Sequence, residues 1–271
     1  MSQNVHGTFV SEKISKIRWR PDQFENSHSF VTGSWDNDEN TIKLWKLVTT
    51  DEDDIYPCEL KSYRANGDVT EIKFINQDLL VASTSDGSVN LLRVTDRENE
   101  AVDIKEQVNW KQIHKFKNSD PTSCTGLSTY DEDIVTIGED GRINLLTSRR
   151  ETLVRSIENA DSCSLHCVSF LKYNEVLTGN LRGQMKIWDL RKSDDKPAST
   201  FMLNGEQIAA TCLTYHPTQR HMVLAGDEEG SLTVWDLRLN TFPVTLLSAH
   251  SSALFKQWRD LALEYGQPVK T

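Results

Sequence analysis

The sequence predicts an all-β fold built from one small antiparallel sheet that is repeated along the chain. Three observations support this prediction. A thirteen-residue phrase, GNLRGQMKIWDLR at 179–191, returns 47 residues later as GDEEGSLTVWDLR at 226–238. Short apolar runs alternate with turn-forming residues, and glycine or asparagine recurs at a fixed place in each turn. Repetition at this spacing is typical of architectures in which each repeat is one supersecondary structure.

Weaker copies of the phrase occur three more times in the chain. They are SWDNDENTIKLWKL at 34–47, SDGSVNLLRV at 85–94 and EDGRINLLTS at 139–148. Aligned on the tryptophan of the phrase, the five repeats are centred on Trp45, Leu92, Leu146, Trp188 and Trp235, with separations of 47, 54, 42 and 47 residues. We therefore recognise five repeats in this chain.

Each repeat contains three short apolar runs that we interpret as strands joined by hairpins. The first runs lie at 14–19, 69–75, 124–127, 165–170 and 211–215, and the second at 30–32, 79–82, 134–137, 176–177 and 222–225. The third run carries the Trp or Leu of the phrase. A more variable fourth strand is predicted at 58–63, 108–116, 152–157, 199–203 and 244–248.

The turn before the third strand contains glycine in four of the repeats. These residues are Gly87, Gly141, Gly183 and Gly230, and Asn40 takes the same place in the first repeat. A tight hairpin requires positive φ, which glycine adopts without steric cost. We therefore expect positive φ at all four glycines.

A four-stranded sheet with two apolar faces cannot bury both faces by itself. Several such sheets stacked around an axis bury them together, which is the architecture of a β-propeller. Trp45, Trp188 and Trp235 occupy strand positions that the other repeats fill with Leu92 and Leu146. This equivalence favours burial of the tryptophans between sheets over an exposed contact role.

Carboxylates also recur at the glycine turns. Asp86 and Asp140 directly precede a turn glycine, and Glu229 takes that place in the fifth repeat. They could form an acidic ring that binds a cation, but aspartate beside a tight turn also accepts hydrogen bonds that pin the turn to neighbouring loops. We favour the structural role. Arg182 breaks the pattern in the fourth repeat and is a candidate surface contact.

Composition limits the classes of partner. The chain has 271 residues, a net charge of −10 and 26% charged residues, as in a soluble globular protein. The negative charge disfavours direct binding of nucleic acid or anionic membrane. No window holds the roughly 18 apolar residues that cross a bilayer, and the N-terminus lacks the apolar run of a signal peptide. We expect no membrane insertion and a cytosolic or nuclear location.

The residue types that bind metals or catalyse reactions are not arranged in a recognisable metal-binding or catalytic motif. The five cysteines lie mostly in strand-like runs, which favours reduced thiols. Cys163, His166 and Cys167 could supply half of a zinc site, but no second ligand pair with finger-like spacing accompanies them. Walker, dinucleotide-binding, HExxH and GxSxG motifs are absent as well. We expect no metal, no other cofactor and no enzymatic activity.

One exposed contact residue is expected in the first repeat. Trp35 begins the long polar turn SWDNDEN, at a place that other repeats fill with small or charged residues. Exposed tryptophan is common at binding hot spots. Trp35 and the adjacent Asp36 are therefore candidate partner contacts, together with Arg182.

The WDLR endings, the Asp-Gly turns and the period resemble WD-repeat propellers over residues 14–250. The order of the variants discriminates within that superfamily: KISKIRWRP, FVTGSWDNDENTIKLW, IVTIGEDGRINLL, SIENADSCSLHCVSFL and QMKIWDLR. This order resembles the forty-three-kilodalton WD-repeat nucleoporins of the Y-shaped scaffold complex of the nuclear pore. The resemblance implies a non-catalytic scaffold subunit that docks other nucleoporins of the complex. It further implies roles in mRNA and protein transport, a place at the nuclear pore, and a place at kinetochores in mitosis.

The sequence departs from this family after residue 250. The resemblance implies two further repeats, enough for a ring of seven blades, whereas the chain continues as SSALFKQWRDLALEYGQPVKT. Apolar residues of this segment recur with the period of an amphipathic helix over 253–265. We expect a shortened form, with an incomplete propeller at 1–250 and a helical tail at 251–271.

The sequence is also compatible with a second function. Arg191 and Arg238 end the two WDLR phrases, and a Trp-Asp-x-Arg ending resembles the signature of WD-repeat substrate receptors of cullin-RING ubiquitin ligases. The same ending is common in propellers with a solvated arginine. Arg191 and Arg238 are therefore candidate contacts under this alternative.

Overall fold

The computed structural model describes residues 7–21, 28–49, 55–96, 101–203, 207–216, 218–239 and 241–250. Regular secondary structure in these ranges is entirely β, as predicted, and forms five four-stranded antiparallel sheets. The sheets follow one another along the chain, one for each sequence repeat. This arrangement is consistent with the blades of a WD-repeat propeller.

The strand bounds are as follows. The first sheet contains β1 (Ile14–Trp19), β2 (Ser29–Ser34), β3 (Asn40–Thr49) and β4 (Ile55–Ala65). The second contains β5 (Val69–Phe74), β6 (Leu79–Thr84), β7 (Val89–Thr95) and β8 (Asp103–Trp110). The third contains β9 (Cys124–Tyr130), β10 (Asp133–Gly138), β11 (Ile143–Thr147) and β12 (Arg155–Ile157). The fourth contains β13 (Leu165–Lys172), β14 (Glu175–Asn180), β15 (Gln184–Asp189) and β16 (Ser199–Met202). The fifth contains β17 (Ala210–Tyr215), β18 (Met222–Asp227), β19 (Ser231–Asp236) and β20 (Thr245–Ser248).

Within every sheet each strand pairs with the next strand in the chain. The hairpin registers place equivalent residues of different repeats opposite equivalent partners: Val176 pairs with Trp188 in the fourth sheet, and Val223 pairs with Trp235 in the fifth. Such a repeated register indicates that one local sequence pattern specifies every hairpin.

The chain divides into two compact units, residues 1–134 with 145–154 and residues 135–144 with 155–271. In the first compact unit, Val31, Ile42 and Leu44 of the first sheet pack in one cluster with Ile72 and Leu80 of the second. The face of one sheet is thus buried by the face of the next. Burial of this kind is the main stabilising contribution for sheets that are apolar on both sides.

Side-chain donors add specific contacts between successive sheets of the first compact unit. Ser15 Oγ donates to Val69 O at 2.6 Å, and Thr70 Oγ1 donates to Cys124 O at 2.6 Å. Each donor lies near the start of the first strand of its sheet, and each acceptor lies at the start of the first strand of the next. The repeat thus provides hydrogen bonds as well as apolar contacts.

One sequence-based expectation differs from the structure, and another concerns residues that the structure does not describe. The fourth strand of the second repeat lies at Asp103–Trp110 and not at 108–116. Gln112 has φ of 46° and ends the extended run, and the charged residues that precede Val108 hid the start of this strand. The helix predicted at 253–265 and the whole tail 251–271 lie outside the described residues.

Candidate protein-interaction surface

The turn glycines have the backbone conformation that the hairpin pattern predicts. Their φ values are 82° at Gly87, 69° at Gly141, 69° at Gly183 and 87° at Gly230. A Cβ on Gly87 would lie 2.4 Å from His114 O, so the neighbouring loop also fills the space beside the turn. The turn at Gly87 is therefore packed closely against the neighbouring loop.

Asp86 stabilises its own turn. Its Oδ1 accepts from Thr84 Oγ1 at 2.7 Å and from Ser88 N at 3.0 Å, and its Oδ2 accepts from Ser88 Oγ at 3.1 Å. Ser88 Oγ in turn accepts from Gln112 N at 3.0 Å, which connects the turn to the following loop. The turn is thus joined to the neighbouring loop through Ser88 and through Gly87 O, which accepts from His114 N at 3.2 Å.

Asp140 has a similar local function in the third sheet. Its Oδ1 accepts from Arg142 N at 3.1 Å, and its buried carboxylate lies 3.4 Å from Arg142 Nε. The carboxylate is thus neutralised by the residue on the other side of the turn glycine. This geometry is the one expected of a turn-stabilising aspartate.

Sequence reasoning missed the acceptors that hold the fourth and fifth turns. Asn180 Oδ1 accepts from Arg182 N and Gln184 N, each at 2.9 Å. Asp227 Oδ1 accepts from Glu229 N at 3.0 Å and from Ser231 N at 2.8 Å. When the repeats are aligned on Trp188, Trp235 and Leu92, these acceptors lie two positions before the position of Asp86. The sequence signal for them is the Asn or Asp that directly follows the glycine near the end of the second strand. This shift leaves the Arg182 side chain free to face outward.

The repeat tryptophans are buried. Trp45 is 7% exposed, and Trp188 and Trp235 are 2% exposed. Trp45 Nε1 donates to Thr32 Oγ1 at 2.8 Å and Trp188 Nε1 donates to Thr178 Oγ1 at 3.0 Å.

The fifth repeat lacks the hydroxyl that receives this hydrogen bond. Ala225 stands where Thr178 stands in the fourth repeat, and Trp235 Nε1 has no hydrogen-bond partner within the described residues. Trp235 contacts Phe201 of the preceding sheet instead, with ring centroids 4.6 Å apart. Its position is therefore maintained by packing alone.

Trp35 is an exposed aromatic residue on a rigid turn. It is 46% exposed, and the Lys13 ammonium lies 5.8 Å from its ring centroid and also pairs with Asp36. Asp36 has φ of 52°, and its backbone N donates to Asp68 Oδ1 at 2.9 Å. The Asp68 carboxylate also accepts from Asn40 Nδ2 at 3.0 Å. The turn therefore presents Trp35 with little freedom to rearrange, which lowers the entropic cost of docking.

Arg182 borders a cavity of about 230 Å³ in the second compact unit, together with Gln184 and Met202. The buried Asp161 carboxylate and the partly buried Cys163 thiol form its polar floor. Burial opposes ionisation of Asp161, but hydrogen bonds from Lys186 and Cys163 outweigh it and lower the pKa of Asp161. Burial and the adjacent Asp161 raise the pKa of the Cys163 thiol, so that this thiol stays protonated at neutral pH.

Arg191 and Arg238 are exposed, but each forms an ion pair within its own repeat. The Arg191 guanidinium donates to both carboxylate oxygens of Asp189 at 2.9 Å, and Arg238 contacts Asp236 at 2.6 Å. Hydrogen bonds from these guanidinium groups lower the pKa of Asp189 and of Asp236 to about 2. Both arginines are thus already neutralised by an aspartate of the phrase.

The described residues also bear on metal binding and on membrane insertion. Among the residues that the structure describes, no three His, Cys, Asp or Glu side chains come together in a way that could hold a metal ion. Burial lowers the pKa of His166. The described part of the chain also contains no helix with the length and apolar character needed to span a membrane.

Comparison with known proteins gives strong matches over nearly the whole chain. Human nucleoporin Nup43 is 38% identical over 266 residues, which cover 94% of this chain and 70% of the human protein. Mouse Nup43 is 37% identical over 268 residues, with the same coverage of both chains. Mouse WD repeat-containing protein 55 is 27% identical over 169 residues, which cover 61% of this chain and 39% of that protein. No family model matches the chain.

These matches agree with the order of repeat variants read from the sequence. Identity of 38% over 94% of the chain extends through all five sheets and is well above the level of the match to a general WD-repeat protein. The chain belongs to the Nup43 family of WD-repeat nucleoporins.

Proposed function

We propose that this protein is a non-catalytic scaffold subunit of the nuclear pore that docks other nucleoporins of the Y-shaped complex. The observation that carries the proposal is the similarity to Nup43 over 94% of the chain. Sheets joined by tight turns suit this role, because a rigid scaffold positions surface loops for binding. Participation in mRNA and protein transport would follow from membership in the pore.

Purification of the tagged chain from nuclei, followed by mass spectrometry, tests this proposal. Nucleoporins of the Y-shaped complex are the expected partners. Recovery of a cullin-RING ligase adaptor in their place, with binding lost in the variant Arg191→Ala plus Arg238→Ala, would contradict the proposal. The pairing of both arginines with aspartates of their own repeats gives the ligase alternative no support from geometry.

We also propose that the protein accompanies its complex to kinetochores in mitosis, as the resemblance to the Y-complex nucleoporins implies. Imaging of the tagged chain through cell division tests this part by itself. Paired foci on condensed chromosomes are expected, and a uniform mitotic signal would contradict it while leaving the role at the pore intact.

Trp35, Asp36 and Arg182 are proposed as contacts with partner nucleoporins. Trp35 is half exposed on a rigid turn, and Arg182 borders a cavity with a polar floor. Exposed aromatic and arginine side chains are the types that most often dominate binding energies at protein interfaces.

A further inference from the structure

A second cavity, of about 220 Å³, lies in the first compact unit beside β7, β8 and the turn that follows β11. Leu79, Leu91 and Val108 form its apolar part. Three arginines, Arg93, Arg149 and Arg150, line the same cavity. Three guanidinium groups around one cavity are unusual on a chain whose net charge is −10.

The basic character of this cavity arises where two repeats depart from the WDLR phrase. In the fourth repeat, Asp189 follows the phrase tryptophan and neutralises Arg191. Leu92 and Leu146 occupy the tryptophan position in the second and third repeats, so Arg93 and Thr147 stand where that aspartate would be. The second repeat thus replaces a negative charge with a positive one, and the third repeat removes it.

Loss of the aspartate leaves these cationic groups without the ion-pair partner that Asp189 provides in the fourth repeat. Arg149, at the position of Arg191, pairs instead with Glu132 of the turn between β9 and β10. Arg93 and Arg150 form no ion pair with any of the residues that the structure describes. Within the described part of the chain, two exposed guanidinium groups therefore remain available to an acidic ligand.

The apolar residues of the cavity indicate that the ligand also supplies an apolar group. Leu91 is 2% exposed and forms the floor with Leu79 and Val108. Gln107 also borders the cavity, at a β-bulge where the register shifts between the pairs Leu91 with Val108 and Leu92 with Glu106. Bulges redirect side chains and are frequent beside binding sites.

The size of the cavity favours a side chain of another polypeptide. Its volume is below the roughly 300 to 1,000 Å³ of typical small-molecule sites. One large apolar side chain of the partner would fill the cavity. Acidic residues next to it in the partner sequence would then lie beside the arginines at the rim. Glu151 also borders the cavity and Glu132 pairs with Arg149, so Arg93 and Arg150 are the arginines left to contact carboxylates of the ligand.

We propose that this cavity is a docking site for an acidic segment of a partner polypeptide, with one apolar side chain on Leu79, Leu91 and Val108 and flanking carboxylates on Arg93 and Arg150. The inference rests on the proposed scaffold function in taking the ligand to be a protein. Bidentate guanidinium to carboxylate contacts would give the site its specificity for Asp and Glu.

The test uses the full chain and a fluorescent synthetic peptide with one leucine between two pairs of glutamates. Fluorescence anisotropy should show binding that weakens as salt is added, and the same peptide with glutamines should bind at least about tenfold more weakly. The variant Arg93→Gln plus Arg150→Gln should lose about tenfold in affinity for the glutamate peptide. The control Arg191→Gln plus Arg238→Gln removes the same charge from exposed positions and should change the affinity by less than about twofold.

Three results would overturn the inference: equal binding of the glutamate and glutamine peptides, an equal loss in the two double variants, or tighter binding of an oligonucleotide or inorganic phosphate than of the peptide. Recovery of nucleoporins from nuclei is a separate measurement. Recovery of nucleoporins without binding of the glutamate peptide would refute this site and would not affect the proposed scaffold function. A chain that binds the peptide through Arg93 and Arg150 but recovers no nucleoporin would refute the scaffold function alone.

Discussion

Trp35 is an exposed aromatic side chain beside a turn that is held by hydrogen bonds to Asp68. Replacement by alanine should weaken binding to partner nucleoporins by about 2 kcal/mol, because an anchored aromatic residue is lost from a rigid turn. The unfolding free energy should change by less than about 0.5 kcal/mol, since the ring is 46% exposed. Titration of the purified chain against its partner and denaturation in urea measure the two effects. Tyr173→Ala, at a side chain that is 58% exposed, is the control, and an equal loss of binding there would contradict a special role for Trp35.

The Asp189 carboxylate provides a residue-scale test of the WDLR ion pair. Its pKa is lowered to about 2 by hydrogen bonds from Arg191, from an ordinary value of 3.8. The pair therefore contributes stability that is present above pH 3.8 and is lost as the pH falls through about 2. In an NMR titration, Arg191→Ala should raise the Asp189 midpoint from about 2 toward 3.8, while the Asp236 midpoint stays near 2. A wild-type midpoint near 3.8 would refute the ion pair.

The hydrogen bond between Trp188 and Thr178 connects neighbouring strands of the fourth sheet. Thr178→Val keeps the shape but removes the acceptor, which leaves a buried indole N–H unsatisfied at a cost of about 1 to 3 kcal/mol. The same substitution in a Trp188→Phe background should cost much less, because the donor is already absent. Chemical denaturation of the four proteins measures this coupling. Equal costs in both backgrounds would show that the hydrogen bond contributes nothing.

The glycine turns are the elements that fix the hairpin register. Gly87→Ala should lower the unfolding free energy by at least about 1 kcal/mol, because φ is positive and an added Cβ would contact backbone oxygens of the next loop. Gly7→Ala is the matched control, since nothing lies within 4 Å of its added Cβ. Thermal or urea denaturation compares the two variants. Similar stabilities would mean that this turn relaxes without cost.

The strands that carry the repeat could be predicted because their periodicity reflects burial. β1 begins and ends at the predicted residues, and β5 differs by one residue. The fourth strands were harder to place: β8 is rich in charged residues and starts five residues before its predicted start. Acceptors of the turns were also missed in the last two repeats, since Asn180 and Asp227 act from the end of a strand rather than from the turn itself.

At the scale of the whole molecule, the surface was much less predictable than the fold. Apolar periodicity constrains buried positions, whereas exposed positions can vary without disturbing the sheets. Arg93 and Arg149 are far apart in the sequence, and only the folded structure shows that they border one cavity. The family, by contrast, could be read from the order of repeat variants, because that order is particular to one kind of nucleoporin and matches Nup43 over 94% of the chain.

Membership in the nuclear pore is the central claim for the whole molecule, and its position in the cell tests that claim most directly. A fluorescent tag should be placed on the chain at its own gene, so that expression stays at the natural level. We predict a punctate signal along the nuclear rim that coincides with a marker of the pore in interphase cells. A diffuse signal in the nucleus or cytosol, with no enrichment at the rim, would contradict the claim.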